Sequence, residues 1–290
     1  MKISCIVLNY NDARNTIAQI LRIRAYRCLD SVIVVDNAST DDSIQQLEPY
    51  IGEKVILLAL EHNAGYGAGN NAGLHYAYEA LQATHAVIAN PDTDFTEPCV
   101  QELAQLFEGH QDLGVAAASM VDGSGGSQAG GWPLRSWLKD LLDTGPVCRR
   151  IFRAALRYPT DYGKGKRAVY VDVVHGSMLM VDLEKMMICG AYDERVFLYG
   201  EENILGFRMK YAGFRTVQLL GQTYLHENSG TISKTYETYS RRQKLRYESA
   251  RFYYRNYLHI DPFQMAVTRL FHQVVLFEIW FCKNVLRMSW

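Results

Sequence analysis

Disulfide and zinc chemistry are the first things this sequence lacks. Its six cysteines, at positions 5, 28, 99, 148, 189 and 282, form no CxxC pair and have no closely spaced histidine. A disulfide framework and a thiolate zinc site are therefore excluded, and a reducing compartment is expected. Long acidic or low-complexity tracts are also missing, so no segment has the composition of a disordered tail. The opening "MKISCIVLNYND" reaches Asn9 after too short an apolar run for a signal peptide. The late stretch "FQMAVTRLFHQVVLFEIWFCKNVLRMSW" is apolar and aromatic, but Arg269, His272, Glu278 and Lys283 interrupt it. It lacks the roughly 20 clean apolar residues of a membrane span. Packing on the core is preferred for it, with a membrane interface as the alternative.

Net charge is nearly absent as well, at −1 over 290 residues, but the balance is uneven. Lys139 to Arg167 carries eight basic residues against three acidic, and Lys234 to Arg255 seven against two. Either segment alone reads as a solvated helix face; together they favour an anionic partner for the second half. The chain is 48% apolar and 21% charged, an ordinary globular composition, and long enough for one large domain or two smaller ones.

What is present is alternation. Short aliphatic runs at Ile3–Leu8, Val32–Val35, Val55–Leu60, Ala86–Ala89 and Val115–Ala118 predict buried strands. Helical patterns separate them at Ala13–Ile23, Ser43–Tyr50, Ala68–Leu81 and Glu97–Phe107, and Ser39 with Asp42 has capping-box spacing for the second. Such alternation means a mostly parallel, Rossmann-like α/β sheet with helices on both faces. Ligands then bind beyond the carboxyl ends of the strands, where "LNYND", "VVDNASTDD" and "IANPDTD" converge. After residue 120 come a Gly/Ser-rich loop, "DGSGGSQAGGW", a basic helical stretch to Arg157 and a strand-like run Ala168–Asp182. "GEENILGFRMKYAG" predicts a helix ending at Gly213, and from Tyr236 long helices are broken at Asp261–Pro262.

Each polar cluster has two readings. Asp36 and Asn37 suit a base N–H or ribose hydroxyl, but an Asx turn and N-cap also account for them. Gly65, Gly67 and Gly69 in "EHNAGYGAGNNAG" lack the spacing of a dinucleotide fingerprint, though a glycine loop can let a nucleotide or sugar approach the backbone. Asp92 and Asp94 in "ANPDTDF" face one side of an extended chain, about 6–7 Å apart. They suit a cation held mainly by substrate phosphates, or an ordinary polar turn. Glu201 and Glu202 complement a helix N-terminus, or one of them serves as a general base. His226 is a metal or diphosphate ligand, or a satisfied structural residue.

The order of these motifs is more specific than any one of them. "SCIVLNYND", "VIVVDNASTDDS", "HNAGYGAGNNAG", "IANPDTDF", "CGAYDERVFLYGEENILGFRMKYAG" and "YLHENSG" together resemble family 2 glycosyltransferases, in particular their bacterial rhamnosyltransferase-like branch. The resemblance spans residues 3 to about 230 and reaches "ARFYYRNYL". It implies a GT-A fold with a C-terminal helical extension: residues 1–120 a nucleotide-sugar-binding half, 121–235 an acceptor half, and 236–290 a helical, membrane-associating segment. It further implies an inverting transfer from a nucleotide-diphospho-sugar, dTDP-rhamnose before UDP-sugars, with Mg²⁺ or Mn²⁺. The acceptor would be a glycan or a polyprenyl-diphosphate-linked glycan of bacterial surface polysaccharide. The expected location is cytoplasmic, at the inner face of the plasma membrane, with no nucleic-acid partner.

By position, the resemblance assigns Leu8, Asn9, Tyr10, Asp36 and Asn37 to the nucleoside, and Asn63, Gly65 and Asn71 to the nucleotide or sugar pocket. Asn90 and Asp92 stand at the family's metal-binding D-x-D, making Asp92 the metal ligand with His226, and Asp94 lies near the donor sugar. Glu202, with Glu201 as its rival, stands at the general base. Two departures are visible: Glu202 replaces the usual Asp, and Ile204 replaces a second Asp. Ile204 is the one feature favouring a catalytically weak or inert binding protein of the same fold. A nucleotidyltransferase is disfavoured because no Gly-rich, basic phosphate loop follows the first strand, and a dehydrogenase by the glycine spacing.

Overall fold

Strand β1 (Ile3–Asn9) is apolar on both faces and almost wholly buried, which places it in the middle of a covered sheet. The computed structural model, which describes residues 1–123, 130–227 and 239–285, has it there. β1 pairs in parallel with β2 (Ser31–Asp36), and β2 pairs in parallel with β3 (Val55–Ala59). On its other side β1 pairs in parallel with β4 (His85–Ala89). The sheet continues through β5 (Thr93–Asp94), β6 (Leu113–Asp122), β8 (Ala168–Val171), β10 (Met178–Asp182) and β11 (Arg215–His226). Its order is β3-β2-β1-β4-β10-β6-β11-β5, with β8 also on β11. Because β10 is antiparallel to both β4 and β6, and β11 is parallel to β6, six of the nine strands share one direction. A separate ribbon pairs β7 (Gly131–Trp132) with β9 (Val173–Val174).

The period of two along each strand divides the core. Cys5 and Val7 face one side with Ile20 and Ile23 of α1 (Ala13–Ile23) and Leu103 of α4 (Glu97–Gly109). Ile6, Ile33 and Ile88 face the other, with Leu74 of α3 (Tyr66–His75), Met186 of α8 (Leu183–Ile188) and Met209 of α9 (Glu201–Tyr211). This is an α/β sheet covered on both faces, as the alternation predicts. All six cysteines are free thiols.

Several local expectations change. The Ser39–Asp42 capping box does not form: the helix there, α2, is Ser43–Leu47, and Ser39 instead donates its hydroxyl to Asp36, 2.6 Å away. A buried carboxylate outbids an exposed helix terminus for the same hydroxyl. α3 begins at Tyr66 rather than Ala68 and runs on as a π turn, Tyr76–Ala80. The run Ala168–Asp182 is three strands, because the turn at His175–Gly176 sends β10 into the gap between β4 and β6. β11 is not anticipated at all; Gly221 and Gln222 interrupt its pattern where the register with β6 shifts between Leu219 and Thr223. Most of the Gly/Ser-rich stretch falls at 124–129, outside the described residues, as do Asn228 to Gly230, Lys234, Tyr236 and Glu237.

Beyond the sheet, α5 (Trp137–Thr144), α6 (Pro146–Ile151) and α7 (Arg153–Leu156) meet two long helices, Tyr239–Asn256 and Pro262–Asn284. The break between those two is where the sequence puts it. Asp261 and Gln264 form a full capping box, and Pro262 occupies the first turn, where its missing N–H costs nothing. The last helix is more apolar than its four interruptions suggest. Its Pro262–Cys282 portion reaches the length and mean hydropathy, 1.3, of a helix able to cross a membrane. One face packs as expected: Trp137 donates to Thr268 at 2.9 Å, and His272 stacks on Tyr247 at 3.9 Å.

Candidate functional site

The carboxyl ends of β1 and β2 are locked together by polar groups. In register, Asn9 faces Asp36, and its amide donates to the Asp36 carboxylate at 2.7 Å while its oxygen accepts from Thr16 at 2.8 Å. Asp36 also accepts from the Ser39 amide at 2.9 Å, and is fully buried. Asn37 donates to Asn63 and to the Gly65 carbonyl, leaving its own side-chain oxygen buried without a partner. Leu8 and Tyr10 are half-buried beside them. Asn9 and Asp36 thus spend their hydrogen bonds on joining the strand ends, and the Asn37 oxygen is an acceptor left over.

The glycines of the third motif serve close packing. A Cβ at Gly69 would meet Leu8 Cδ1 at 2.5 Å, and one at Gly73 would meet Ile6 at 2.7 Å, so α3 lies tightly on the sheet. Gly65 has φ 106° and abuts the Phe197 backbone, which joins this loop to the segment before α9. Asn71 on α3 completes that junction by pairing with both backbone groups of Tyr192 and donating to Glu194.

Asn90 follows β4 directly, and the two-residue strand β5 pairs with Leu225–His226. That pairing brings Asp92 Oδ1 to 3.2 Å from His226 Nε2, with side chains only 13% and 18% exposed. Adjacent ligands on a divalent cation at about 2.1 Å lie roughly 3 Å apart, so this carboxylate–imidazole pair fits one cation. Among the described residues no group of three or more His, Cys, Asp and Glu could hold a metal ion; substrate oxygens would have to complete the shell. Asp94 stands apart, exposed and 3.7 Å from Arg22.

The second acidic pair opens α9. Tyr199 (φ 73°) and Gly200 (φ 83°) are both left-handed, and for a tyrosine this costs on the order of 1–3 kcal/mol. Arg246 lies over the Tyr199 ring at 4.7 Å and holds the turn. The turn buries Glu201 and leaves Glu202 partly open. Glu201 has one carboxyl oxygen buried without a partner. Burial, reinforced by the charge of Glu202, pushes its pKa up to about 8. Glu202 packs on the backbone of Gly176, where a Cβ would lie 3.2 Å from its Oε1.

Residues to which the motifs assign no role, some inside them and some between them, connect these pieces. The Tyr66 hydroxyl bonds to Asn90 Oδ1 at 3.2 Å and to the Gly176 carbonyl at 2.8 Å, spanning from the end of β4 to the glycine under Glu202. Burial holds its phenol well above the usual pKa, with Tyr192 and the two glutamates adding to the shift. Ser177 pairs with Tyr224 at 2.7 Å, and Trp132 donates to Asn203 at 2.8 Å while its ring meets His175 edge-on. No spacing rule could have found them: they lie on five different segments and meet only in three dimensions. Ile204, in contrast, is 1% exposed in a cluster with Leu141, Val196, Tyr253 and Tyr254. It faces the core, and that accounts for the apolar residue there.

Comparison with known proteins identifies the family and the fold. Residues 4–182 match the family model described as Glycosyl transferase family 2. A curated relative, the low-salt glycan biosynthesis hexosyltransferase Agl10 of Haloferax volcanii, is 24% identical over 204 residues, 69% of this chain and 59% of its own length. The chain thus spans well under two thirds of that relative. Among solved structures, a mannosyltransferase from Pyrobaculum calidifontis, in complex with GDP-Man and Mn²⁺, superposes with a TM-score of 0.59 at 13% identity, covering 98% of this chain and 70% of that one. TarS 1–349 of S. aureus, in complex with UDP-GlcNAc, gives 0.58 at 17% identity, covering 98% and 76%. At these identities the structural likeness establishes the fold, a GT-A fold.

Proposed function

The chain belongs to glycosyl transferase family 2, its residues 4–182 carrying the match, and from that membership we propose that it transfers a sugar, with inversion, from a nucleotide-diphospho-sugar to a hydroxyl acceptor. The observation that carries this reading is the Tyr66 bridge between Asn90 and Gly176. It links the segment leading to Asp92 with the glycine on which Glu202 packs, which supports a displacement between a leaving diphosphate and an attacking hydroxyl. The bond from the anomeric carbon to the diphosphate oxygen breaks as the acceptor oxygen attacks from the opposite face, and the acceptor proton passes to Glu202. Glu201 is the poorer base because it is buried, with one carboxyl oxygen enclosed away from solvent. Asp92 and His226 would hold Mg²⁺ or Mn²⁺, which when bound neutralises charge on the leaving diphosphate. The buried Asn37 oxygen and the rim residues Leu8 and Tyr10 face the nucleoside.

The rhamnosyltransferase-like motifs favour dTDP-rhamnose as donor, with UDP-sugars next. The acceptor on this reading is a glycan or a polyprenyl-diphosphate-linked glycan of a bacterial surface polysaccharide, modified at the cytoplasmic side. An inert protein of the same fold rested on Ile204, and the core position of that residue withdraws its support.

A thermal-shift panel of dTDP, UDP, GDP and their sugars, with and without Mn²⁺, tests the reading. A ligand at a hundred times its Kd stabilises the folded state by about 2.7 kcal/mol. One nucleotide should raise the melting temperature by several degrees only with Mn²⁺, and Asp92→Ala should abolish that shift together with turnover of the nucleotide-sugar. No shift with any member, or an unchanged Asp92→Ala protein, would overturn it.

A further inference from the structure

The last helix, Pro262–Asn284, is covered on one side only. Thr268, His272, Val275 and Ile279 are buried against the body. Phe263, Leu270, Val274, Phe277 and Phe281 are between 39% and 76% exposed. At about 100° per residue these five fall within an arc of about 60°, and no charged residue of the helix lies in it. So large a continuous apolar stripe on a soluble surface marks an interaction site.

The rim of the stripe is basic. Gly145, at the start of α6, packs on Phe271 and Val275, and the Val147 amide donates to Glu278 at 3.2 Å. Helix α6 therefore begins along the flank of the stripe. It adds exposed Val147 and Ile151 to the apolar surface, and with the start of α7 it supplies exposed Arg149, Arg150, Phe152 and Arg153. From this pairing of an apolar stripe with a flanking arginine cluster we infer that the last helix and α6 form a docking surface for a bilayer containing anionic phospholipid. The helix lies in the plane of the interface, phenylalanines among the acyl chains and arginines among the phosphates.

Spanning is the alternative that its composition allows, and the contacts argue against it. Crossing the bilayer would break the Trp137–Thr268 and Val147–Glu278 hydrogen bonds and carry Glu278 and His272 into hydrocarbon. An isologous second copy would bring the same arginines to its own rim, whereas anionic headgroups neutralise them. The inference does not depend on the proposed transfer reaction.

Flotation with vesicles of phosphatidylcholine alone or mixed equally with phosphatidylglycerol tests it. Binding should require phosphatidylglycerol, fall at least tenfold in 0.5 M NaCl, and be lost in Leu270→Asp/Phe277→Asp. Arg150→Glu/Arg153→Glu should weaken it at least tenfold and serves independently should the first variant fold poorly by circular dichroism. Fluorescence of Trp280, 54% exposed, read as the difference from Trp280→Phe, should be quenched more by bromines near the headgroups than by bromines near the bilayer centre. Three results would overturn the inference: no binding to the mixed vesicles at low salt, deepest quenching at the bilayer centre, or a dimer abolished by Leu270→Asp/Phe277→Asp without vesicle binding.

Discussion

Two adjacent glutamates, identical in chemistry, are separated by a single backbone turn. Because Glu201 is buried, its folded-state pKa of about 8 stands above the ordinary 4.5. The folded state then keeps a proton that the unfolded chain loses, so stability falls as pH rises from about 4.5 towards 8. Glu201→Gln cannot ionise, and its melting temperature should gain on the parent protein between pH 5 and pH 8.5, by at least ~1 kcal/mol of stability. With the donor identified by thermal shift, Glu202→Gln should lower kcat by about 10²–10⁴, and Glu201→Gln by less than about tenfold. A larger loss in Glu201→Gln would transfer the base role to it. The sequence places both carboxylates at a helix start; only burial tells them apart, in surroundings that distant segments supply, among them Tyr66 and Tyr192, whose phenols feel both charges.

Among the elements, α9 carries the proposed base, and its seat is tight. A Cβ at Gly206 would meet the Asp172 carbonyl at 2.5 Å and Val173 Cγ2 at 2.9 Å, and a backbone oxygen cannot rotate away. Gly206→Ala gains about 1 kcal/mol of helix propensity but pays about 1–3 kcal/mol in overpacking. We expect a lower melting temperature and a lower kcat, since α9 must shift under Glu202, with little change in nucleotide affinity. Gly109→Ala, at the end of α4 with open space around it, should be neutral or stabilising. The glycine-rich motif before α3 illustrates how far a motif reads. Its spacing correctly excludes a dinucleotide fingerprint, but it could not show that Gly69 and Gly73 serve helix-on-sheet contact rather than a ligand.

For the molecule as a whole, a buried carboxylate is one of the polar joints between the α/β body and the C-terminal helices, alongside the Ser249–Leu198 and Tyr254–Asp140 hydrogen bonds. Asp193 accepts from Arg195 at 2.7 Å and from Tyr257 at 2.6 Å, with Arg208 at 3.4 Å. Although burial alone would raise its pKa, the hydrogen bonds from Arg195 and Tyr257 hold it below the usual carboxylate range. Asp193→Asn should cost about 2 kcal/mol and Tyr257→Phe about 1–2 kcal/mol. In a double-variant cycle by urea unfolding the two losses should sum to more than the double variant, because they share one bond. Strict additivity would mean that the Asp193–Tyr257 bond adds nothing to that joint. The "ARFYYRNYL" segment is thus a clamp, its tyrosines Tyr253 and Tyr254 filling a core shared with Ile204.

By itself the sequence determined the parallel α/β half, the break at Asp261–Pro262 and the family, because periodicity, caps and ordered motifs are local or follow chain order. It also marked Asp92, His226 and Glu202 as candidates. Tertiary structure alone decided that β10 enters the sheet between β4 and β6 and that an unforeseen β11 carries His226 to Asp92. It likewise decided that Ser39 serves Asp36 instead of a helix and that Ile204 belongs to a core. The physical reason in three of the four is that distant partners remove a group from water and no short stretch of chain contains both; Ser39 and Asp36 are only three residues apart, but Asp36 outcompetes the helix start because the sheet around β2 buries it.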